Sequence, residues 1–268
     1  LNLGVIAFQN KNFALAEKFY RHCLSIHPSD IRCHVNLAGL LLLQDRNEEG
    51  WLHYEKRLQG AENILAIPKH LPMWSGHKLK GDLLLVHEQG LGDTFQFIRY
   101  AKILQNTGIR CHFQGPKKLH SLLLEADLVE SCCSETETTP SECVAWVALM
   151  SLPMLCSRIK EEYTAPYLTT NPNLIEKWNT KFGQHKKLRI ALHWQGNPDH
   201  EFTSSRGRSF PLKTLDALAS LPNIEWISRQ KGPGSEQQMY GSFSEKWHPL
   251  QTEIDTVWDF KETAAILT

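Results

Sequence analysis

The chain has 268 residues, 41% hydrophobic and 22% charged, with 29 basic against 29 acidic side chains. That is an ordinary globular composition, with length for one large domain or about two to three small ones. The charge balance gives no basis for nucleic acid or an anionic membrane as partner, and no apolar run approaches the roughly 20 residues of a membrane span. Seven cysteines without a C-x-x-C pair predict reduced thiols in a cytoplasmic protein, and thirteen histidines are scattered without metal-ligand spacing.

Residues 1 to 66 predict helices that repeat. Leu3, Gly4, Ala16 and Tyr20 recur 34 positions later as Leu37, Ala38, Gly50 and Tyr54. Small residues let paired helices approach, and the two tyrosines fill the adjoining groove. The period resembles the tetratricopeptide repeat, the alternative being a generic helical hairpin. The stretch AIPKHLPMWSGHKLKG, 66 to 81, reads as a Pro- and Gly-rich connector. The period then changes. DLLLVH is an unbroken apolar strand of a buried parallel sheet. DTFQFIRYAKILQNTG places Phe97, Ile98, Ala101 and Leu104 on one helical face, with Gly108 as stop. IRCHFQG, PKKLHSLLLEA and CVAWVALMSLP continue as strand, helix and strand. NPNLIEKWNTKFG is a helix between layers, followed by the strand KLRIALHWQG, the helix PLKTLDALASL, the strand IEWISRQ and the opening of a helix in KETAAIL. The alternation predicts an α/β class with doubly wound layers behind an all-α module: helical repeats over 1–66, a first α/β half over 67–167 and a second over 168–268. Leu1 falls inside a helical pattern and Thr268 stops in one, so both ends are expected to be cut from a longer protein.

Ligands of open parallel sheets bind beyond the carboxyl ends of the strands, which singles out two turns. In HEQGLGDT, Gly90 and Gly92 allow unusual dihedrals and close approach of a ligand, with Glu88 and Gln89 beside them, and Asp93 begins the helix. Asp93 caps a helix or takes a proton; its position alone leaves both open. In HWQGNPDHEFTSSRGRSFPL, Gly196 follows the strand, and Arg206 and Arg208 lie in a polar loop suited to bidentate phosphate contacts or to plain solvation. Lys231 adds a cation after the next strand.

HEQGLGDTFQFIRYAKIL, SLP, HWQGNP, RGRSFPL and DFKETAAIL, in this order behind the repeats, resemble a bacterial family of repeat-linked glycosyltransferases. The α/β part is similar to the heptosyltransferase-like group with the GT-B fold. The resemblance implies two Rossmann-like domains facing across a cleft, the first for the acceptor and the second for a nucleotide-sugar. It carries the base of the family's G-D turn to Asp93, and the diphosphate ligand before x-x-P to Arg208. The implied chemistry is inverting sugar transfer to a saccharide or protein hydroxyl. It needs no metal or cofactor, and no D-x-D motif occurs. Asp93 would deprotonate the hydroxyl, while Arg208, Lys231 and Arg206 stabilise the leaving diphosphate. The repeats would offer a groove to a protein partner. Such families continue past the DFxxTA helix into an Asp-Thr/Ser turn that holds donor phosphates, and this chain stops before it. The other readings are a non-catalytic interaction scaffold and a nucleotide- or sugar-binding module without turnover.

Overall fold

The computed structural model describes residues 1–59, 66–157, 159, 166–183, 187–198 and 209–268. The chain forms two compact units, Leu1–Leu168 and Thr169–Thr268.

The first unit opens with four helices, α1 (Asn2–Gln9), α2 (Phe13–Ile26), α3 (Ile31–Leu43) and α4 (Asn47–Tyr54), and each packs on the next. Asn12 caps α2 by accepting from the Leu15 N–H at 3.2 Å, and Asp30 caps α3 by accepting from the Cys33 N–H at 3.0 Å, so orphan amides at both starts are met. The 34-residue period is present in the backbone: Lys11 and Asp45, in the tight connections after α1 and α3, both sit in the left-handed region at φ 58°. Ala16, Tyr20, Leu37, Leu40 and Leu41 form the core. The small residues mark close approaches. A Cβ on Gly4 would come within 2.5 Å of the Tyr20 ring, and one on Gly50 within 2.8 Å of Leu42 Cγ. Leu3, the counterpart of buried Leu37, is instead 60% exposed. Glu17, Arg21, Arg46 and Glu49 close a surface ring of ion pairs at 2.6–2.8 Å across α2 and α4, worth roughly 0–1 kcal/mol per pair.

After a 3₁₀ turn, Glu55–Leu58, a parallel sheet follows. It comprises β1 (Asp82–Val86), β2 (Cys111–Gln114), β3 (Ser131–Cys133) and β4 (Cys143–Ala148), in the order β3-β2-β1-β4. The long helical pattern after β1 resolves into α5 (Leu91–Phe97) and α6 (Arg99–Asn106), and α7 (Lys117–Glu125) joins β2 to β3. Every residue of β1 is buried, as expected of a strand covered on both faces. The chain steps outward from β1 to β3 and then returns to the other side of β1. The order therefore reverses between β1 and β4, the place beyond the carboxyl ends where open parallel sheets bind ligands. At the amino ends, Asp82 Oδ2 and Ser131 Oγ lie 2.9 and 2.8 Å from the two ring nitrogens of buried His112, tying three strands together. The connector covers the outer edge of β4: the Trp74 N–H donates to the Trp146 carbonyl at 2.7 Å, and the Trp146 N–H to the Pro72 carbonyl at 3.0 Å.

The second unit holds α9 (Pro172–Phe182) and two parallel strands, β5 (Leu188–Leu192) and β6 (Ile224–Ser228), with α10 (Gln251–Thr256) and α11 (Phe260–Leu267); a short α8 (Leu152–Leu155) belongs to the first unit. Asn171 caps α9 with Pro172 at its first position, and Gly183 ends it at φ 69°. Trp178, Phe182 and Ile227 pack with α10 and α11, and Trp194, Leu212, Trp226 and Phe243 form a second cluster. The segment Leu212–Ser220, expected as an α-helix, is 3₁₀. Leu212, Leu215 and Leu218 recur every third residue, which suits three residues per turn. The chain is thus mixed α/β, and among the described residues no helix is long and apolar enough to cross a membrane.

Replacing Gly50 by Leu should drive a side chain into Leu42 and cost about 1–3 kcal/mol. An unchanged denaturant midpoint would show that α3 and α4 are not in tight contact there.

Candidate functional site

The first turn lies where the sheet order reverses. His87, Glu88 and Gln89 leave β1, and Gly90 caps α5. Asp93, at the third position of that helix, accepts the Gly90 N–H on Oδ2 at 2.9 Å. The bond closes the turn and satisfies one orphan amide. Asp93 is half-buried, and Oδ1 accepts no hydrogen bond from the described residues. The positive φ expected of the glycines falls elsewhere. Gly90 has φ −94°, Gly92 is not among the positive-φ residues, and Gln89 takes the left-handed conformation at φ 61°. A Cβ on Gly92 would meet nothing within 4 Å, so Gly92 leaves open space at the helix start. His87 Nδ1 lies 2.6 Å from Thr94 Oγ1, and burial pushes the imidazole below its usual pKa.

Glu88 is buried, and its partners come from two segments. Its Oε1 accepts from Arg57 Nη2 at 2.8 Å and from the Met150 N–H at 2.7 Å, and its Oε2 accepts from Arg57 Nε at 3.0 Å. Arg57 belongs to the 3₁₀ turn after α4; it also donates to Ser151 Oγ at 3.0 Å, Glu55 Oε1 at 2.8 Å and the Tyr54 carbonyl at 3.2 Å. Its guanidinium lies 4.4 Å from the Tyr54 ring centroid. Burial is the largest single influence and opposes this charge, but the Glu88 and Glu55 carboxylates together outweigh it and raise the guanidinium pKa above its ordinary value. Gln89 Nε2 donates to Tyr54 Oη at 2.6 Å, and burial pushes the phenol pKa up. Glu88 and Gln89 are thus anchored on the helical module. Arg57 was not among the expected site residues, since 31 positions separate it from Glu88 and no local pattern marks it.

Beside α5 lies a recess of about 660 Å³, walled by Asn47, Glu48 and Trp51 of α4 and by Gln96 and Tyr100. Asp93 precedes Gln96 by three residues on α5, and Tyr100 follows the break at Ile98, on α6. Trp51 packs edge-on to both Tyr54 and Phe97, with centroids 5.7 and 5.8 Å apart, joining the recess wall to the anchored turn.

In the second unit, Arg206 and Arg208 lie outside the described residues. Gly196 is exposed, and its N–H donates to Ser209 Oγ at 2.9 Å. Gln230, fully buried, fastens the ends of both strands. Its Oε1 accepts from the Trp194 and Gln195 N–H groups at 3.2 and 2.9 Å, and its Nε2 donates to the Gln195 and Pro233 carbonyls at 3.0 and 2.8 Å. Lys231 does not stand free at the rim. Its Nζ donates to the Ile254 carbonyl at 2.9 Å, lies 3.6 Å from Asp255 Oδ1, and sits over the Trp258 ring. Burial pushes its pKa down and Asp255 opposes that.

Burial makes most of the thiols poor nucleophiles. Burial raises Cys33, Cys132, Cys143 and Cys156 to about 12, and Cys111 also upward. Among the described residues, no three His, Cys, Asp or Glu side chains are grouped to hold a metal ion.

No family model matches the chain, and no solved structure matches it. It is similar to Protein POLLENLESS 3-LIKE 1 of Arabidopsis thaliana, 24% identical over 227 residues, covering 84% of this chain and 45% of the relative. It is also similar to Protein FlbA of Caulobacter vibrioides, 26% identical over 262 residues, covering 85% of this chain and 42% of the relative. The chain spans less than half the length of either.

The His87 environment predicts a pH dependence. Its folded pKa lies below the ordinary 6.5, so the unfolded chain binds the proton better. The stability tied to a neutral His87 is complete above about pH 6.5 and is lost as pH falls below it. Thermal midpoints should drop between pH 7.5 and 5.5, and drop less in His87→Gln. An equal drop in both proteins would show that His87 is not the titrating group.

Proposed function

We propose that the chain is part of a repeat-linked glycosyltransferase of the GT-B type, in which Asp93 is the general base of an inverting, metal-independent transfer from a nucleotide-sugar. The observation that carries this is the state of Asp93. It sits beyond a buried strand where the sheet order reverses, one oxygen holds the Gly90 N–H, and the other accepts nothing from the described residues. Capping and proton transfer are then done by different oxygens of one carboxylate. The recess walled by Trp51, Gln96 and Tyr100 would take the acceptor, since aromatic faces with amides and a carboxylate suit a ring bearing hydroxyl groups. Deprotonation of the acceptor hydroxyl lets it attack the anomeric carbon, and a base so placed contributes roughly 10²–10⁴ in rate.

On the donor side the proposal rests on Arg208, with Arg206 beside it, because guanidinium matches the charge that develops on a departing diphosphate. Lys231, tied to Ile254 and Asp255, serves first as the clasp of α10. The reading of a binding scaffold without turnover differs in one measurable respect: it requires no proton transfer at Asp93.

In the whole protein, Asp93→Asn should keep the Gly90 bond, because Asn caps about as well as Asp, and leave the melting temperature nearly unchanged. It should cut kcat by about 10² or more with the nucleotide-sugar selected by a thermal-shift screen of UDP-, GDP-, ADP- and CMP-sugars. Normal turnover would return Asp93 to a cap alone. Arg208→Ala should weaken binding of the nucleoside diphosphate more than that of the nucleoside, and equal losses would remove its phosphate role.

A further inference from the structure

We infer that Arg57 and Tyr54 are positioning residues for the turn that carries Asp93, so that the helical module is a working part of the site and not a detachable appendage. The functional half of this inference rests on the proposal that Asp93 is a base; the structural half does not. One planar guanidinium meets Glu88, Ser151, Glu55 and the Tyr54 carbonyl. Glu88, 5% exposed, accepts its remaining bond from the Met150 N–H beyond β4. The carboxylate is therefore fixed from both sides of the place where the sheet order reverses, and a fork of donors fixes its orientation as well as its position.

The next residue decides between positioning and simple adhesion. Gln89 holds a left-handed φ of 61°, a conformation that side chains rarely take without support. Its amide donates to Tyr54 Oη at 2.6 Å. Gln89 is exposed, so this bond adds little to the adhesion of the two parts. It acts instead on the one residue of the turn that needs holding. Beyond it only Gly90, Leu91 and Gly92 precede Asp93, and the Gly90–Asp93 bond couples the last step. A displacement at residues 88 and 89 is thus carried to the Asp93 carboxylate.

Tyr54→Phe probes this role, because it keeps the ring against Arg57 and Trp51 and deletes the oxygen that Gln89 reaches, along with its long 3.6 Å hydrogen bond to Met150 Sδ. Arg57→Lys keeps the charge and deletes the fork. Both are compared in the whole protein with Leu40→Ala, which loosens the helical core without touching the turn. Hydrogen exchange of residues 87–94 is followed by mass spectrometry, and steady-state kinetics use the nucleotide-sugar found by ligand screening. Both turn variants should exchange this segment about 10-fold faster than the parent while Leu40→Ala does not. Both should lower kcat by about 10-fold or more with KM for the donor nearly unchanged. Parent-like exchange over 87–94 in both variants overturns the inference, and so does the same acceleration in Leu40→Ala. Faster exchange in a protein that transfers no sugar leaves the positioning intact and removes the transferase. Parent-like exchange in a protein that Asp93→Asn inactivates does the reverse.

Discussion

A guanidinium taken out of water must have its donors met, and that requirement organises the first unit. Arg57 leaves the helical module and finds its acceptors on the turn after β1, on the segment after β4 and on its own 3₁₀ turn. Removing one partner of such a pair strands a buried charge at roughly 3–5 kcal/mol, yet well-packed apolar side chains would often hold the parts together as firmly. What an apolar contact lacks is direction. The planar fork fixes where the Glu88 carboxylate lies and how it is turned, and the chain from Glu88 to Asp93 inherits that frame. The helical module and the four-stranded sheet accordingly fall in one compact unit.

The second unit solves the corresponding problem with neutral amides. Gln230 bonds the backbone beyond β5 and the loop after β6. Gln251 accepts from the Ser228 N–H at 2.8 Å and donates to its carbonyl at 3.0 Å. Amides donate and accept at once, so each can satisfy both kinds of backbone group at a strand end. Lys231, the expected site cation that lies among the described residues, is drawn to the Ile254 carbonyl in the last turn of α10, a natural place for positive charge. A basic residue after a strand is thus as readily taken by a neighbouring helix end as by a ligand, and its number in the sequence does not distinguish the two.

The elements legible in the sequence were those whose signal is long. The 34-residue period reappears in the matched backbone of Lys11 and Asp45, and β1, β2, β4, β5 and β6 follow apolar runs. β3 was not expected: Ser131–Cys133 has three residues, two of them half-buried, too short for any periodicity to register. The 3₁₀ form of Leu212–Ser220 was missed because a spacing of three lies close to that of an amphipathic α-helix. At the turn, glycine suggested where the backbone would bend, and the strained conformation fell on the neighbouring Gln89, where a hydrogen bond from outside the segment supports it. Asp93 could be found as the acid that opens a helix after a buried strand. Arg57 could not, because its role is created by folding a helix end against a sheet, and nothing within its own stretch encodes that meeting.

The edges of the first sheet bear on why the chain builds two units at all. A parallel sheet grows by adding strands to an open rim of N–H and carbonyl groups. On one rim the last strand is only three residues long. On the other, both outward groups of Trp146 are already taken by the connector, through Pro72 and Trp74, and Pro72 has no N–H to pass the pattern on. Neither rim therefore presents a long row of free backbone groups to a further strand. The strands after Leu168 pair with each other instead, β5 with β6, in a sheet of their own.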